Sequence, residues 1–281
     1  MRVASTGRPV VCAARQLMLL AAIVGLVPLT VSLAHADPVG CQRAIAKETA
    51  KFAQAKMKRA QKCSDGVLTG ARPGPCPDAV TTDKVAKAES KLRAAMDKNC
   101  GGTDRSCGTG GDDDALAAIG WSSGTCPNFE SGSCANAIAT CDDIGTCLAC
   151  VTHAAADQAI ALYYGALQPS QGGSTLQRCQ RAIGKEATKF FVAKSKALRK
   201  CEDLVVQGVI GGPCPDASAA GAIAEAEAKK VSKICKACGG ADGTCGGGDD
   251  LTPAAIGFAA QCPAVTIPGG AACGGPVSTL Q

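Results

Sequence analysis

The chain has 281 residues, with 29 Lys and Arg against 24 Asp and Glu, 19 cysteines and only 3% aromatic residues. So few aromatics and so mild a charge argue against a generally cationic nucleic-acid binder, and no specific nucleic-acid motif occurs. The cysteine count is far above that of an ordinary globular chain and dominates the reading.

Arg2, Arg8 and Arg15 precede an apolar run from Leu17 to Leu33, followed by Ala34-His35-Ala36, a small-x-small cleavage pattern. Residues 1–36 read as a signal peptide, with a retained membrane anchor as the alternative; after cleavage no segment is expected to span a membrane. Cys12 would leave with the leader, and 18 cysteines remain. An even number in an exported chain points to a disulfide framework, and the expected location is secreted, periplasmic or cell-surface. Removing the three leader arginines from the 29 basic residues leaves 26 against 24 acidic ones.

The stretch from Cys41 to Cys63, CQRAIAKETAKFAQAKMKRAQKC, returns from Cys179 to Cys201 as CQRAIGKEATKFFVAKSKALRKC, identical at 14 of 23 positions. On a helical wheel Cys41, Ile45, Phe52 and Cys63 share one narrow face, and the lysines are read as its solvated flanks. Cys76, Cys100 and Cys107 also recur 138 residues later, at Cys214, Cys238 and Cys245. One unit is therefore used twice. Gly74-Pro-Cys-Pro-Asp78 and Gly212-Pro-Cys-Pro-Asp216 interrupt helix in both copies.

A second helix is expected over residues 82–99, ended by Gly101-Gly102, with its counterpart before Gly239-Gly240. Two helices joined by a short turn lie antiparallel. That geometry predicts bridges Cys63 to Cys76 and Cys41 to Cys100, with Cys201 to Cys214 and Cys179 to Cys238 as equivalents. Repeat parity leaves Cys235 and Cys273 seeking partners, and they are paired with each other.

The loops that follow carry Asp104, Asp112 and Asp113 in the first copy and Asp242, Asp249 and Asp250 in the second. Asp-rich glycine loops can offer oxygen ligands to Ca²⁺, though EF-hand spacing is absent; solvated turns and helix caps are the alternative. Thr252-Pro253, and Asp113 or Asp114, read as starts of short helices. No cofactor other than this Ca²⁺ is implied.

Residues 135–167 have no counterpart in the second half and carry Cys141, Cys147 and Cys150, then a helix expected over 152–167. Cys147-Leu-Ala-Cys150 has the spacing of a redox dithiol, as does Cys235-Lys-Ala-Cys238; both are also read as structural disulfides bonding outward. The expected organisation is residues 37–167 as a first module, 168–177 as linker and 178–281 as a second, truncated module. The fold class is all-α and loop-rich, a tandem repeat of disulfide-stapled antiparallel helical hairpins.

After leader removal His153 is the only histidine, and no HExxH or GxSxG pattern or other nucleophile beside a base is present, so no catalytic residue is named. The expected role is a non-enzymatic structural or binding protein. A Ca²⁺-dependent or polyanion-binding adhesion module, and a thiol or carboxylate enzyme, are the alternatives. Lys-rich helix faces suggest anionic envelope or extracellular polymers as partners.

Cys41-Gln-Arg-Ala-Ile45, the Cys141 to Cys147 segment and the Asp157 to Tyr164 segment resemble a group of uncharacterised, exported, cysteine-rich bacterial proteins with repeated Lys-rich Cys-to-Cys helical units. The resemblance covers most of the chain after residue 36 and implies export and modular repetition, with no activity to carry over. The second half here departs from it, lacking the Asp-Asp-Ile and Tyr-Tyr segment.

Overall fold

The computed structural model describes residues 37–109, 111–122, 124–128, 133–165, 173–262 and 274–280. The leader reading for residues 1–36, the first six residues of the second-half tail beyond Pro263 and Cys273 lie outside them. Five helices carry the described fold, with no strand among them: α1 (Pro38–Leu68), α2 (Ala79–Cys100), α3 (Cys141–Tyr164), α4 (Gly173–Val206) and α5 (Ala217–Cys238). The chain is all-α and rich in disulfides.

Each helix start has a local cause. Asp37, Asp78 and Asp216 are extended N-caps whose carboxylates accept from Val39, Thr81 and Ala219 backbone N–H groups, at 3.1, 2.8 and 2.8 Å. Thr140 and Asp143 form a reciprocal capping box at the start of α3. These caps extend α2 and α5 back to the residue after the proline turn, three residues earlier than expected for α2. The box likewise starts α3 at Cys141 rather than at residue 152, so the CxxC pair and the Tyr-Tyr segment belong to one helix. α4 begins at Gly173, so the end of the expected linker 168–177 is helical.

The short helices expected after the Asp loops are single turns. Thr252 does cap its turn, with Oγ1 accepting from Ala255 N–H at 3.1 Å, and Phe258 N–H closes it on the Pro253 carbonyl.

Disulfides set the helix pairs. Cys41–Cys100 and Cys63–Cys76 staple α1 to α2, and Cys179–Cys238 and Cys201–Cys214 staple α4 to α5. Cα separations repeat as well, 4.8 Å at the open ends and 5.9 Å at the closed ends. Three more bridges, Cys107–Cys141, Cys126–Cys147 and Cys134–Cys150, tie α3 and the loop before it to the first pair.

The first core gathers Ile45 and Phe52 of α1, Leu92 and Met96 of α2, and Ile144 and Ala149 of α3 around six half-cystines. The second core is smaller: Cys179, Ile183, Ile234, Cys238 and Ile256. Sulfur thus supplies much of the buried apolar matter that a chain this poor in aromatics lacks.

α1 and α4 pack antiparallel. Arg43 at the start of α1 pairs with Asp203 at the end of α4 at 2.6 Å, and Gln177 near the start of α4 donates to the Leu68 carbonyl at the end of α1 at 2.9 Å. Between them, Tyr164 at the end of α3 donates to Asp65 Oδ1 at 2.8 Å. Burial raises the Asp65 carboxyl above its ordinary value, against the pull of the Tyr164 hydrogen bond and the Arg181 and Lys185 charges.

Candidate functional site

A polar cluster lies where α3 crosses α1 and α2. Lys56, on α1, is only 7% exposed. Its Nζ lies 2.7 Å from His153 Nδ1 and 2.8 Å from Asp157 Oδ2, both on α3. His153 Nε2 is 3.0 Å from Glu89 Oε2 on α2, and Arg93, one turn on, donates to Glu89 at 3.0 Å. An ammonium only donates, so Nδ1 accepts from Lys56, which places the imidazole proton on Nε2 and directs it at Glu89. Burial is the largest influence on Glu89 and would raise its pKa. Hydrogen bonds from His153 and Arg93, with the Arg93 charge, outweigh it and hold the carboxyl below its ordinary value.

The local sequence explains the convergence. Lys56 sits at about 60° on the wheel counted from Cys41, close to Ile45 rather than on a solvated flank. Asp157 follows His153 by four residues, so both face α1 from one side of α3. Phe52, one turn before Lys56, meets the His153 ring edge-on with centroids 5.2 Å apart. Beside the cluster is a cavity of about 610 Å³, walled by Lys56, Glu89, His153 and Asp157 and by apolar Val85 and Ile160. Two cations face two carboxylates and each is hydrogen-bonded, so the cluster latches three helices together. It also presents ionic groups on one wall of an otherwise apolar cavity, a composition suited to orienting a small amphiphilic guest. Sequence reasoning missed Lys56, Glu89 and Asp157; the available signal was the wheel position of Lys56, which Lys194 repeats.

A second charged feature lies on the outer side of the first hairpin. Lys51, Arg59, Lys84, Lys87 and Lys91 line a groove between α1 and α2, with Glu48 the one carboxylate among its lining residues. Glu48 pairs with Lys51 at 2.7 Å. In the second copy the positions of Arg59, Lys84 and Lys87 hold Ala197, Ala222 and Glu225, so this basic groove belongs to the first hairpin.

The aspartate loops are built alike in both halves. Asp112 Oδ2 accepts from Thr103 N–H at 2.6 Å and Asp249 Oδ2 from Ala241 N–H at 2.7 Å. Asp104 accepts from Ser106 N–H and Asp242 from Thr244 N–H, both at 2.8 Å. Asp113 and Asp250 accept from Gly108 and Gly246 N–H, both at 2.7 Å. The backbone N–H of Thr103 holds Asp112 below its ordinary pKa, and that of Thr244 does the same for Asp242. These carboxylates fasten their own loop. Among the described residues no group of three or more His, Cys, Asp or Glu is arranged to hold a metal ion. The loops also need glycine: Gly102 and Gly240 have φ of +56° and +62°, and a Cβ on either would sit within 2.3 Å of Asp112 or Asp249 atoms.

The CxxC cysteines diverge rather than face each other. Cys147 bonds Cys126 and Cys150 bonds Cys134, so this pair is not a dithiol. The expected Cys235 to Cys273 pairing is corrected: Cys235 bonds Cys245. In the first module Cys107, the counterpart of Cys245, reaches Cys141 on α3. The second half has no α3, so Cys245 turns back to the helix immediately before it. Cys262 is a free thiol in this structure.

Among the described residues no helix is long and apolar enough to cross a membrane. In comparisons with known proteins, no family model, no curated protein and no solved structure matches this chain.

Proposed function

We propose that this protein is an exported, disulfide-stapled, non-enzymatic scaffold that serves as a structural or binding component outside the cytoplasm. The observation that carries this reading is the set of eight disulfides, six of whose half-cystines pack inside the first core. A core of this composition forms and persists only under oxidising conditions. The leader-like residues 1–36, the use of one helical unit twice, and the kinship with exported cysteine-rich bacterial proteins belong to the same proposal. The test is intact mass of the protein recovered from the extracytoplasmic fraction, with and without reduction, followed by non-reducing peptide mapping. A chain beginning near Asp37 and carrying these eight bridges is expected; a reduced, cytoplasmic chain retaining residues 1–36 overturns the reading.

A second reading, polyanion binding, is favoured by the five exposed cations around the α1–α2 groove. Such a groove concentrates anionic polymer by charge and releases it in salt. Retention on heparin that disappears in modest salt and is abolished by Lys84→Glu with Lys87→Glu supports it. Retention unchanged by that double substitution removes it.

A further inference from the structure

In the first module, Ile45, Phe52, Leu92 and Met96 are each at least nine-tenths buried, and α3 lies over them. Their counterparts 138 residues later are Ile183, Phe190, Lys230 and Ile234. Here Phe190 is only half-buried. With Ile183, Phe191, Ile234 and Phe258 it lines an open cavity of about 580 Å³.

The chain leads up to this face in the same way twice. Cys126 N–H donates to the Asn136 carbonyl and Cys262 N–H to the Gly275 carbonyl, both at 2.9 Å. Ile138 N–H reaches Gly124 and Val277 N–H reaches Ala260. Val277 therefore stands where Ile138 stands, and Leu280 where Cys141 opens α3; Leu280 packs on the second core. No second copy of α3 occurs in the 281 residues.

Charge identifies what fits. In the first module Lys56 is met by Asp157 of α3 at 2.8 Å. Lys194, its counterpart, is exposed and lies 6.0 Å from the Phe190 ring centroid. Among the described residues it makes no ion pair. Lys230 replaces Leu92 and adds a second cation 4.9 Å from the same ring.

We propose that this face of α4 and α5 docks an amphipathic helix from another polypeptide, one with α3's chemistry: small apolar residues at helical spacing and a carboxylate that meets Lys194. α3 supplies the pattern, with Ala149, Thr152 and Ala156 buried in one stripe and Asp157 beside it. The donor is not α3 of a second copy, because three bridges hold that helix in its own module. This inference deepens the binding half of the scaffold reading, by naming a partner class. Bridge mapping and the titration below fail independently of each other.

The probe is a fluorescein-labelled peptide of residues 151–165, stapled on its solvent side so that it is helical before binding, titrated into the full oxidised chain. The expected result is saturable one-to-one binding in anisotropy, weakened at least tenfold by Lys194→Glu. That substitution changes an exposed residue, and an unchanged thermal melt verifies the fold. A peptide carrying Asp157→Lys should lose binding to the natural chain and regain it with the Lys194→Glu chain. Absence of saturable binding, or binding indifferent to Lys194→Glu, overturns the proposal. So does stoichiometric binding of hexadecanoate in the groove without binding of the peptide, which would make the cavity a site for an anionic amphiphile instead.

Discussion

Gly184 of α4 lies directly beneath Tyr164 of α3: a Cβ at Gly184 would stand 2.1 Å from the Tyr164 hydroxyl oxygen. The equivalent position in α1 is Ala46, which is exposed. One of the nine differences between the two Cys-to-Cys stretches is thereby explained, since only the second helix must admit a tyrosine that reaches across to Asp65.

Gly184→Ala is therefore expected to destabilise the protein by about 1–3 kcal/mol through overpacking, although alanine is the better helix former. Combining it with Tyr164→Leu should recover most of that loss. Urea unfolding of the single and double variants measures the coupling; equal losses in both would show that Tyr164 is not the obstacle.

Lys56 and Lys194 occupy matching positions in different surroundings. Truncating Lys56 leaves His153 Nδ1 without its donor and Asp157 without its cation, so Lys56→Ala should cost about 1–3 kcal/mol. Lys194→Ala, at an exposed position, should stay within about 0.5 kcal/mol. Paired melts at one pH are sufficient to compare them.

Asp65 and Glu89 give stability opposite pH dependences. The folded-state pKa of Glu89 is lowered, so its contribution is present above its ordinary value of 4.5 and fades as pH falls through the lower folded value. The folded-state pKa of Asp65 is raised, so its contribution is full below 3.8 and fades as pH rises through the higher folded value. Glu89→Gln should flatten the acid limb of a stability profile, whereas Asp65→Asn should flatten the decline on its upper side. Profiles indistinguishable from that of the natural chain would show that these shifts do not operate.

Bridge removal should rank by loop size. Cys41–Cys100 closes 59 residues and Cys63–Cys76 closes 13. On chain entropy alone, paired serine substitutions should cost about 4 and about 3 kcal/mol respectively. Removing Cys235–Cys245, with a separation of 10, should cost slightly less than the latter. Guanidinium midpoints of the three double variants test the order.

Much of this protein was written locally. Cysteine spacing, the Pro-Cys-Pro turns and aspartates before helices act within a few residues or within one hairpin, and they are sufficient to predict two helix pairs and the four bridges that close them. Tertiary structure decided what depended on distant partners. Cys235 turned to Cys245 because the third helix that receives Cys107 has no counterpart in the second half. Lys56 became a buried latch because α3, roughly a hundred residues away, brought His153 and Asp157 to it. A lysine on a helical wheel has a direction but no neighbour, and the antiparallel packing of α1 and α4 around the end of α3 is set by side-chain fit between segments far apart in the chain.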